Sequence, residues 1–338
     1  MAATLRIGVI GAGRIGVLHA RNLATRLPGV RLEAISDVVA ASAEKCAKDL
    51  GVASALTDHR RILERKDIDA VVICSSTDTH ARLIGEAAEA GKHVFCVKPI
   101  DHDLAKIDDA LAKVARAGVK LQVGFNRRFD PSFSRVRDLV AGGSVGKPHL
   151  LRITSRDPSP PPIAYVKVSG GIFLDMTIHD FDMARFQMGC EVTELYAAGG
   201  VLVDPEIGKA GDLDTAVITL RFENGAIGTI DNSRKSVFGY DQRLEVFGSG
   251  GMAEAANAFP NTVTLSNGKS VARDLPLNFF LDRYAESYVR EMEAFIACVR
   301  DGKEPPVSGR DGRVPVVMGR AARLSAEQNR PVKLSEIG

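Results

Sequence analysis

The sequence is poor in cysteine, and its cysteines form no recognisable pattern. They are scattered and odd in number: Cys46, Cys74, Cys96, Cys190 and Cys298. No C-x-x-C spacing occurs, so neither a zinc site nor a disulfide framework is indicated. Two of the five lie in apolar runs typical of strands, where cysteine behaves as a small core residue. We therefore expect no metal and a reducing compartment.

Long apolar runs and an excess of one charge are also absent. No segment is apolar over the length needed to cross a membrane, and no apolar signal region precedes the first predicted strand. The chain has 44 Lys and Arg against 42 Asp and Glu, a net charge of +2. This balance disfavours nucleic acid and anionic membranes as partners. We expect a cytoplasmic, bacterial-type enzyme that acts on a small molecule.

The most informative motif near the N-terminus is G-x-G-x-x-G at residues 11–16. It follows an apolar run at residues 5–10 and opens a helical pattern, which is the context that this motif requires. We predict that Gly11 permits a tight turn, Gly13 lets the backbone approach a pyrophosphate, and Gly16 lets the helix pack on the strand. The free amides at the helix start favour the same anion. A dinucleotide site is predicted, with Arg14 and Ile15 also in contact with the cofactor.

Asp37 indicates which dinucleotide is bound. It ends a second predicted strand at residues 30–36 and lies 21 residues after Gly16, where NAD-binding proteins place an acidic residue on the ribose hydroxyls. Its neighbours Val38 and Val39 offer no cation for a 2′-phosphate. We predict NAD rather than NADP. The alternative is that Asp37 only caps the next helix.

Further candidates follow predicted strands of this half, at the carboxyl ends where ligands bind in such folds. Thr77 and His80 come after a strand at residues 69–75, and either can contact the cofactor; His80 can equally cap the helix that follows. Lys98 comes after a strand at residues 93–97 and precedes Pro99. A cation there would stabilise the oxygen that becomes an alkoxide in alcohol dehydrogenation. The alternative for Lys98 is a surface lysine.

The organisation of the chain changes after residue 124. Alternating strands and helices give way to consecutive predicted strands at residues 194–201, 214–222, 226–233 and 241–248, which indicate a largely antiparallel or mixed sheet. With 338 residues, two domains are expected. We predict an α/β fold with an N-terminal Rossmann NAD-binding domain, residues 1–124. We also predict a C-terminal α/β domain, residues 125–338, with an open, mostly antiparallel mixed sheet that serves substrate binding and oligomerisation.

One stretch of the second half concentrates chemistry. Residues 175–182 contain three aspartates and a histidine, and in a helix Asp175 and His179 share one face. An aspartate beside a histidine is a simple general acid/base pair. The alternative is that Asp175 caps a helix and that His179 and the other aspartates lie on a solvated face. Tyr240, before a later strand, offers a hydroxyl to a polyol or is a sheet-face aromatic.

Four segments carry a family resemblance over essentially the full chain: residues 156–158, 167–182, 239–243 and 279–284. With the glycine motif, they resemble the Gfo/Idh/MocA family of NAD(P)-dependent oxidoreductases, and within it the members that oxidise inositol. The resemblance implies a catalytic trio of Lys98, Asp175 and His179. It also implies that Arg127, Asp157 and Tyr240 reach the substrate, that Lys98 and Arg127 also contact the cofactor, and that the protein is a homo-oligomer, a tetramer.

The implied reaction is oxidation of a ring secondary hydroxyl of myo-inositol to a ketone, with hydride transfer to NAD and His179 as general base. Two alternatives are a scyllo-inositol, polyol or aldose dehydrogenase of the same family and a non-catalytic NAD-dependent sensor.

One departure from the family pattern is Val97, which stands where relatives have a glutamate before the lysine.

Overall fold

A computed structural model describes residues 4–338, which divide into two units. The first unit comprises the residues up to Asn126 together with Glu286–Val314. The second comprises Arg127–Ala285 and Pro315–Gly338.

The two units together contain fifteen strands and thirteen α-helices among the described residues. The strands are β1 (Leu5–Ile10), β2 (Val30–Ser36), β3 (Ala55–Leu56), β4 (Ala70–Ile73), β5 (His93–Val97), β6 (Leu121–Gly124), β7 (Pro148–Arg156), β8 (Val192–Gly200), β9 (Thr215–Phe222), β10 (Ile227–Ser233), β11 (Asp241–Gly248), β12 (Gly251–Ala255), β13 (Thr264–Ser266), β14 (Val271–Arg273) and β15 (Val332–Lys333). The helices are α1 (Arg14–Thr25), α2 (Ala40–Leu50), α3 (Arg60–Leu63), α4 (Thr77–Glu89), α5 (Leu104–Ala117), α6 (Pro131–Ala141), α7 (Ile163–Val166), α8 (Ile172–Asp175), α9 (Thr177–Met188), α10 (Pro205–Lys209), α11 (Phe280–Arg283), α12 (Ala285–Asp301) and α13 (Gly309–Gln328). Single 3-10 turns lie at Asn126–Phe129 and Leu334–Glu336.

The first unit is a six-stranded parallel sheet in the order β3-β2-β1-β4-β5-β6. Its central strands are short apolar runs, and every residue of β4 is buried, as expected of a parallel sheet covered on both faces. The strand order reverses between β1 and β4, the position where open α/β sheets bind ligands at the carboxyl ends of the strands. The predicted dinucleotide-binding fold is confirmed.

Helix α12 belongs to the core of this first unit. Its side chains Met292 and Phe295 are fully buried in one cluster with Leu23 of α1 and Phe95 of β5. The predicted domain of residues 125–338 therefore differs from the observed division, since residues 286–314 group with the first unit. The apolar stripe of α12 indicates burial in either case, but it does not indicate which core receives it.

The second unit contains a seven-stranded mixed sheet in the order β12-β11-β7-β10-β9-β8-β15. Only β7 and β10 run parallel; the other neighbours are antiparallel. Buried and exposed residues alternate along β9, which is typical of a sheet with one covered face. Helices α6 and α9 pack on the covered face. The predicted open, mostly antiparallel sheet is confirmed.

Among residues 4–338, no helix is long and apolar enough to cross a membrane. No group of three or more His, Cys, Asp or Glu side chains in the same range is arranged to hold a metal ion.

Candidate active site

The glycine loop of the first unit has the geometry that dinucleotide binding requires. Gly11 has a φ of +98°, and a Cβ there would lie 2.6 Å from the carbonyl carbon of Cys74. A Cβ on Gly16 would lie 1.9 Å from the carbonyl oxygen of Gly11, so helix α1 can approach the loop only through a glycine. A Cβ on Gly13, by contrast, would meet no described atom within 4 Å. The open space over Gly13 fits the close approach of a pyrophosphate.

Asp37 at the end of β2 is tied to this loop. Its Oδ2 accepts a hydrogen bond of 2.7 Å from the amide of Ala12, and its Oδ1 accepts one of 2.8 Å from the amide of Val39. The second bond lies in the turn before α2, whose N-cap residue is Val39, so Asp37 supports this turn and is not itself the cap of the helix. Val38 and Val39 are exposed and place no cation beside it, which fits NAD better than NADP.

His80 on α4 is buried and bonded within the first unit. Its Nδ1 lies 2.8 Å from the carbonyl oxygen of Pro99, and its Nε2 lies 2.9 Å from that of Ser75. Only 1% of the residue is exposed, and burial lowers the pKa of the imidazole although both carbonyls favour its charged form. The geometry favours a structural role: His80 links the end of β4 to the segment that carries Lys98.

Thr77 and Lys98 are more accessible than His80. Thr77 begins α4, Lys98 follows β5, and both are half-buried. Val97, the departure from the family pattern, is half-buried and packs against the apolar core of the first unit. A glutamate at position 97 would therefore have to place its carboxylate against this apolar core.

In the second unit, the stretch around Asp175 and His179 forms two helical segments. Helix α8 ends at Asp175, and α9 begins at Thr177 after a break at Met176. Ten of the twelve residues of α9 are buried, and His179 is one of the two that are half-buried. Asp180 and Asp182 are fully buried. The alternative that these aspartates lie on a solvated face is therefore wrong.

Asp175 is held by two side chains that sequence reasoning missed. Its Oδ1 accepts a hydrogen bond of 2.9 Å from the hydroxyl of Tyr165, and its Oδ2 accepts one of 2.8 Å from Nη1 of Arg234. The same Nη1 lies 3.7 Å from Oδ2 of Asp157. Arg234 directly follows β10, which pairs in parallel with β7, and it therefore lies beside the residue after β7, Asp157.

Asp157 keeps about a quarter of its side chain exposed, yet its carboxyl is unusually hard to ionise. Burial raises its pKa to about 6; the charge of Asp175 adds to this shift, while the charges of Arg234 and Arg127 oppose it. A carboxyl group whose pKa is shifted by burial and by specific charged neighbours is a candidate for a functional site.

A buried polar network contains Arg127 and Tyr240. Nη1 of Arg127 donates to Oδ1 of Asp180 at 2.7 Å and to Oγ of Ser155 at 3.0 Å, and Nη2 lies 3.3 Å from the Tyr240 hydroxyl. Asp180 also accepts from Ser155 at 2.6 Å and from Asn232 at 2.8 Å. The structure thus brings Arg127 and Tyr240 together. The buried partners leave Arg127 little freedom to move.

The other aspartate of the stretch is paired in the same way. Nη2 and Nε of Arg128 donate to the two carboxylate oxygens of Asp182, at 2.5 and 2.9 Å. This fork arrangement fixes the orientation of both groups. Asp180 and Asp182 therefore act as supports for α9, and the half-buried His179 is the titratable side chain of that helix left at partial exposure.

The fold and these side chains define a class of protein. The first unit has a dinucleotide-binding loop with an acidic residue at the end of β2. The second unit offers an imidazole, carboxylates and a guanidinium, which suit a substrate with many hydroxyl groups. This combination is that of a nicotinamide-dependent oxidoreductase.

Comparison with known proteins agrees with this class. Residues 5–125 match the model of an oxidoreductase family with an NAD-binding Rossmann fold. Residues 133–254 match the model of the GFO/IDH/MocA C-terminal domain. The chain belongs to the Gfo/Idh/MocA family of oxidoreductases.

Individual relatives narrow the comparison. The chain is 53% identical to a myo-inositol 2-dehydrogenase of Thermotoga maritima, over 90% of this chain and 91% of the relative. It superposes with a TM-score of 0.97 on a probable dehydrogenase from Thermotoga maritima, at 52% identity, covering 99% of this chain and all of the other. A scyllo-inositol dehydrogenase from Lactobacillus casei, solved with NAD(H) and scyllo-inositol, gives a TM-score of 0.92 at 33% identity, covering 98% of this chain and 99% of the other.

Proposed function

We propose that this protein oxidises a ring secondary hydroxyl of myo-inositol to a ketone, 2-keto-myo-inositol, with NAD as hydride acceptor. The observation that carries the proposal is that His179 stays half-buried on α9, four residues after Asp175, while Asp180 and Asp182 of the same helix are fully buried and paired with arginines. The 53% identity to a myo-inositol 2-dehydrogenase supports the choice of substrate.

Each side chain of the trio has a proposed part in the reaction. His179 takes the proton of the substrate hydroxyl as general base, a role worth roughly 10²–10⁴-fold in rate. Asp175 fixes the substrate and favours positive charge on the imidazole. Lys98 stabilises the oxygen as it becomes an alkoxide. The nicotinamide, when bound, accepts the hydride from the carbon that carries this oxygen.

The remaining site residues are proposed to bind and orient. Arg127, Asp157 and Tyr240 contact hydroxyls of the cyclitol ring. The loop formed by residues 11–16 would hold the pyrophosphate of NAD, and Asp37 would bind the ribose hydroxyls. Thr77, Lys98 and Arg127 would make further cofactor contacts. His80 is proposed to support cofactor binding indirectly, through its contacts with the carbonyl oxygens of Ser75 and Pro99.

A substrate panel tests this proposal. Purified protein is incubated with NAD and, separately, with myo-inositol, scyllo-inositol and several hexoses, and NADH is followed by absorbance. We expect the highest kcat/KM with myo-inositol. A preference for scyllo-inositol or a hexose would show that the protein is a dehydrogenase of the same family with a different substrate. The absence of NADH with every polyol, while NAD still binds, would favour a sensor and refute the enzyme.

We also propose that the exposed face of the second sheet pairs two copies of the chain. One row of registered residues crosses four strands on this face and is apolar: Met252, Phe247, Leu150 and Ile227. Each is between 39% and 51% exposed. A contiguous apolar patch of this kind marks an interaction surface. This contact would form a dimer. A second contact, between two such dimers, would complete the homotetramer that the family resemblance implies.

The proposed cellular context is the catabolism of inositol in a reducing compartment such as the cytoplasm. All five cysteines are free, and four of them are buried. Free thiols of this kind are compatible with a reducing environment.

A further inference from the structure

Arg234 is a buried cation that lies within ion-pair distance of two carboxyl groups of the proposed site, those of Asp175 and Asp157. It directly follows β10, and its side chain is 3% exposed. The backbone fixes its position, since its amide donates to the carbonyl oxygen of Asp214 at 2.8 Å. Its Nη1 serves Asp175 at 2.8 Å and faces Asp157 at 3.7 Å.

The other two nitrogens of the Arg234 guanidinium are expected to lower the stability of the fold. Its Nε and Nη2 atoms are buried and have no hydrogen-bond partner among residues 4–338. Buried donors without partners cost free energy, and a well-packed apolar residue is often no less stable than a buried ion pair. Within residues 4–338, the contacts of Arg234 are therefore concentrated on one nitrogen, Nη1, which faces Asp175 and Asp157.

The electrostatic effect of Arg234 falls on the two carboxyl groups. Burial disfavours its charge, but Asp175, Asp157 and Asp212 outweigh that effect and raise the pKa of the guanidinium. In return, the positive charge opposes the rise in the pKa of Asp157 that burial, Asp175 and Asp180 produce. The cation therefore favours the ionised form of a carboxyl that its surroundings would otherwise protonate.

We propose that Arg234 is a positioning residue that fixes the orientation of the Asp175 carboxylate and couples Asp157 to it. Together with Tyr165, it engages both oxygens of Asp175, so the carboxylate has one defined direction in which to meet the substrate. This inference rests on the proposed function of Asp175 and Asp157. It adds a residue that touches neither the reacting atoms nor the cofactor.

Two substitutions separate charge from geometry. Arg234→Lys keeps a cation but loses the planar fork, and Arg234→Met removes the charge at similar volume. Arg135→Met is the matched control, because Arg135 is exposed on α6 of the same unit. For each variant, kcat and KM with myo-inositol, the affinity for NADH and the pH profile of kcat/KM are measured.

We expect Arg234→Met to lose roughly 10- to 100-fold in kcat/KM, because a misplaced catalytic group costs about that much. NADH affinity should stay unchanged, and Arg234→Lys should recover part of the loss. The acid limb of the profile should move to higher pH in Arg234→Met, since Asp157 loses the cation that keeps it ionised. A merely structural residue would lower thermal stability and leave KM and the pH profile at wild-type values, and that result would overturn the inference.

A readout independent of turnover distinguishes this inference from the proposed function. Carboxyl signals of Asp157 and Asp175 are titrated by NMR in the wild type, Arg234→Lys and Arg234→Met, with single aspartate substitutions for assignment. A higher pKa of Asp157 in Arg234→Met is expected whether or not inositol is oxidised. An unchanged titration in Arg234→Met, or in Arg234→Lys if the former does not fold, would refute the coupling. Lack of inositol oxidation by the wild type would refute only the proposed function.

Discussion

The buried pair of Arg127 and Asp180 allows a quantitative test of how the second unit is held together. The two side chains are 5% and 0% exposed and are joined at 2.7 Å. Asp180→Ala would leave the guanidinium buried without its counter-ion, a change that typically costs roughly 3–5 kcal/mol. Arg127 retains contacts to Ser155 and Tyr240, so the lower end, about 3 kcal/mol, is expected.

The assay for this prediction is thermal unfolding followed by calorimetry. A loss of about 3 kcal/mol corresponds to a fall of roughly 6–12 °C in Tm for a unit of this size. The matched control is Asp108→Ala, which removes a forked pair with Arg313 whose aspartate is 52% exposed; exposed pairs contribute about 1 kcal/mol or less. Equal Tm changes in the two variants would refute the argument that burial decides the value of the Arg127 pair.

Four further predictions concern catalysis and assembly. His179→Ala should lower kcat by roughly 10²–10⁴-fold with unchanged NADH affinity, and a wild-type rate would exclude His179 as the base. Because the pKa of Asp157 is raised to about 6, its carboxyl loses its charge as the pH falls through that value. We therefore expect kcat/KM of the wild type to decline below about pH 6. Asp157→Asn should lack the decline that is due to this carboxyl. Val97→Glu should shift the pH dependence of kcat, whereas superimposable profiles would deny position 97 any tuning role. Phe247→Lys should reduce the oligomer size measured by analytical ultracentrifugation, and an unchanged mass would place the interface elsewhere.

The sequence predicted the first unit closely because its signals are local. The ranges of β1, β2 and β5 agree with the predicted ones, since each is an apolar run that ends at a glycine or a charged residue. Strand β12 was missed because Gly251–Ala255 contains no β-branched or aromatic residue and is held by pairing with β11.

The site was predictable only in part, for a different physical reason. Motifs place Asp175 and His179, but their environment depends on partners distant in the chain. Arg234 lies 59 residues after Asp175, and Arg127 lies 53 residues before Asp180. The parallel pairing of β7 with β10 brings Arg234 beside Asp157, and a single sequence carries no local signal for that pairing.

The most direct test of the proposed function follows the hydride itself. Myo-inositol labelled with deuterium at C2 is incubated with the protein and NAD, and both products are analysed by mass spectrometry and NMR. The proposed reaction predicts one deuterium on the reduced nicotinamide, unlabelled 2-keto-myo-inositol, and a slower rate than with unlabelled substrate if hydride transfer limits turnover. Reduced cofactor without deuterium would show that another carbon is oxidised, and the absence of reduced cofactor would contradict inositol oxidation by this protein.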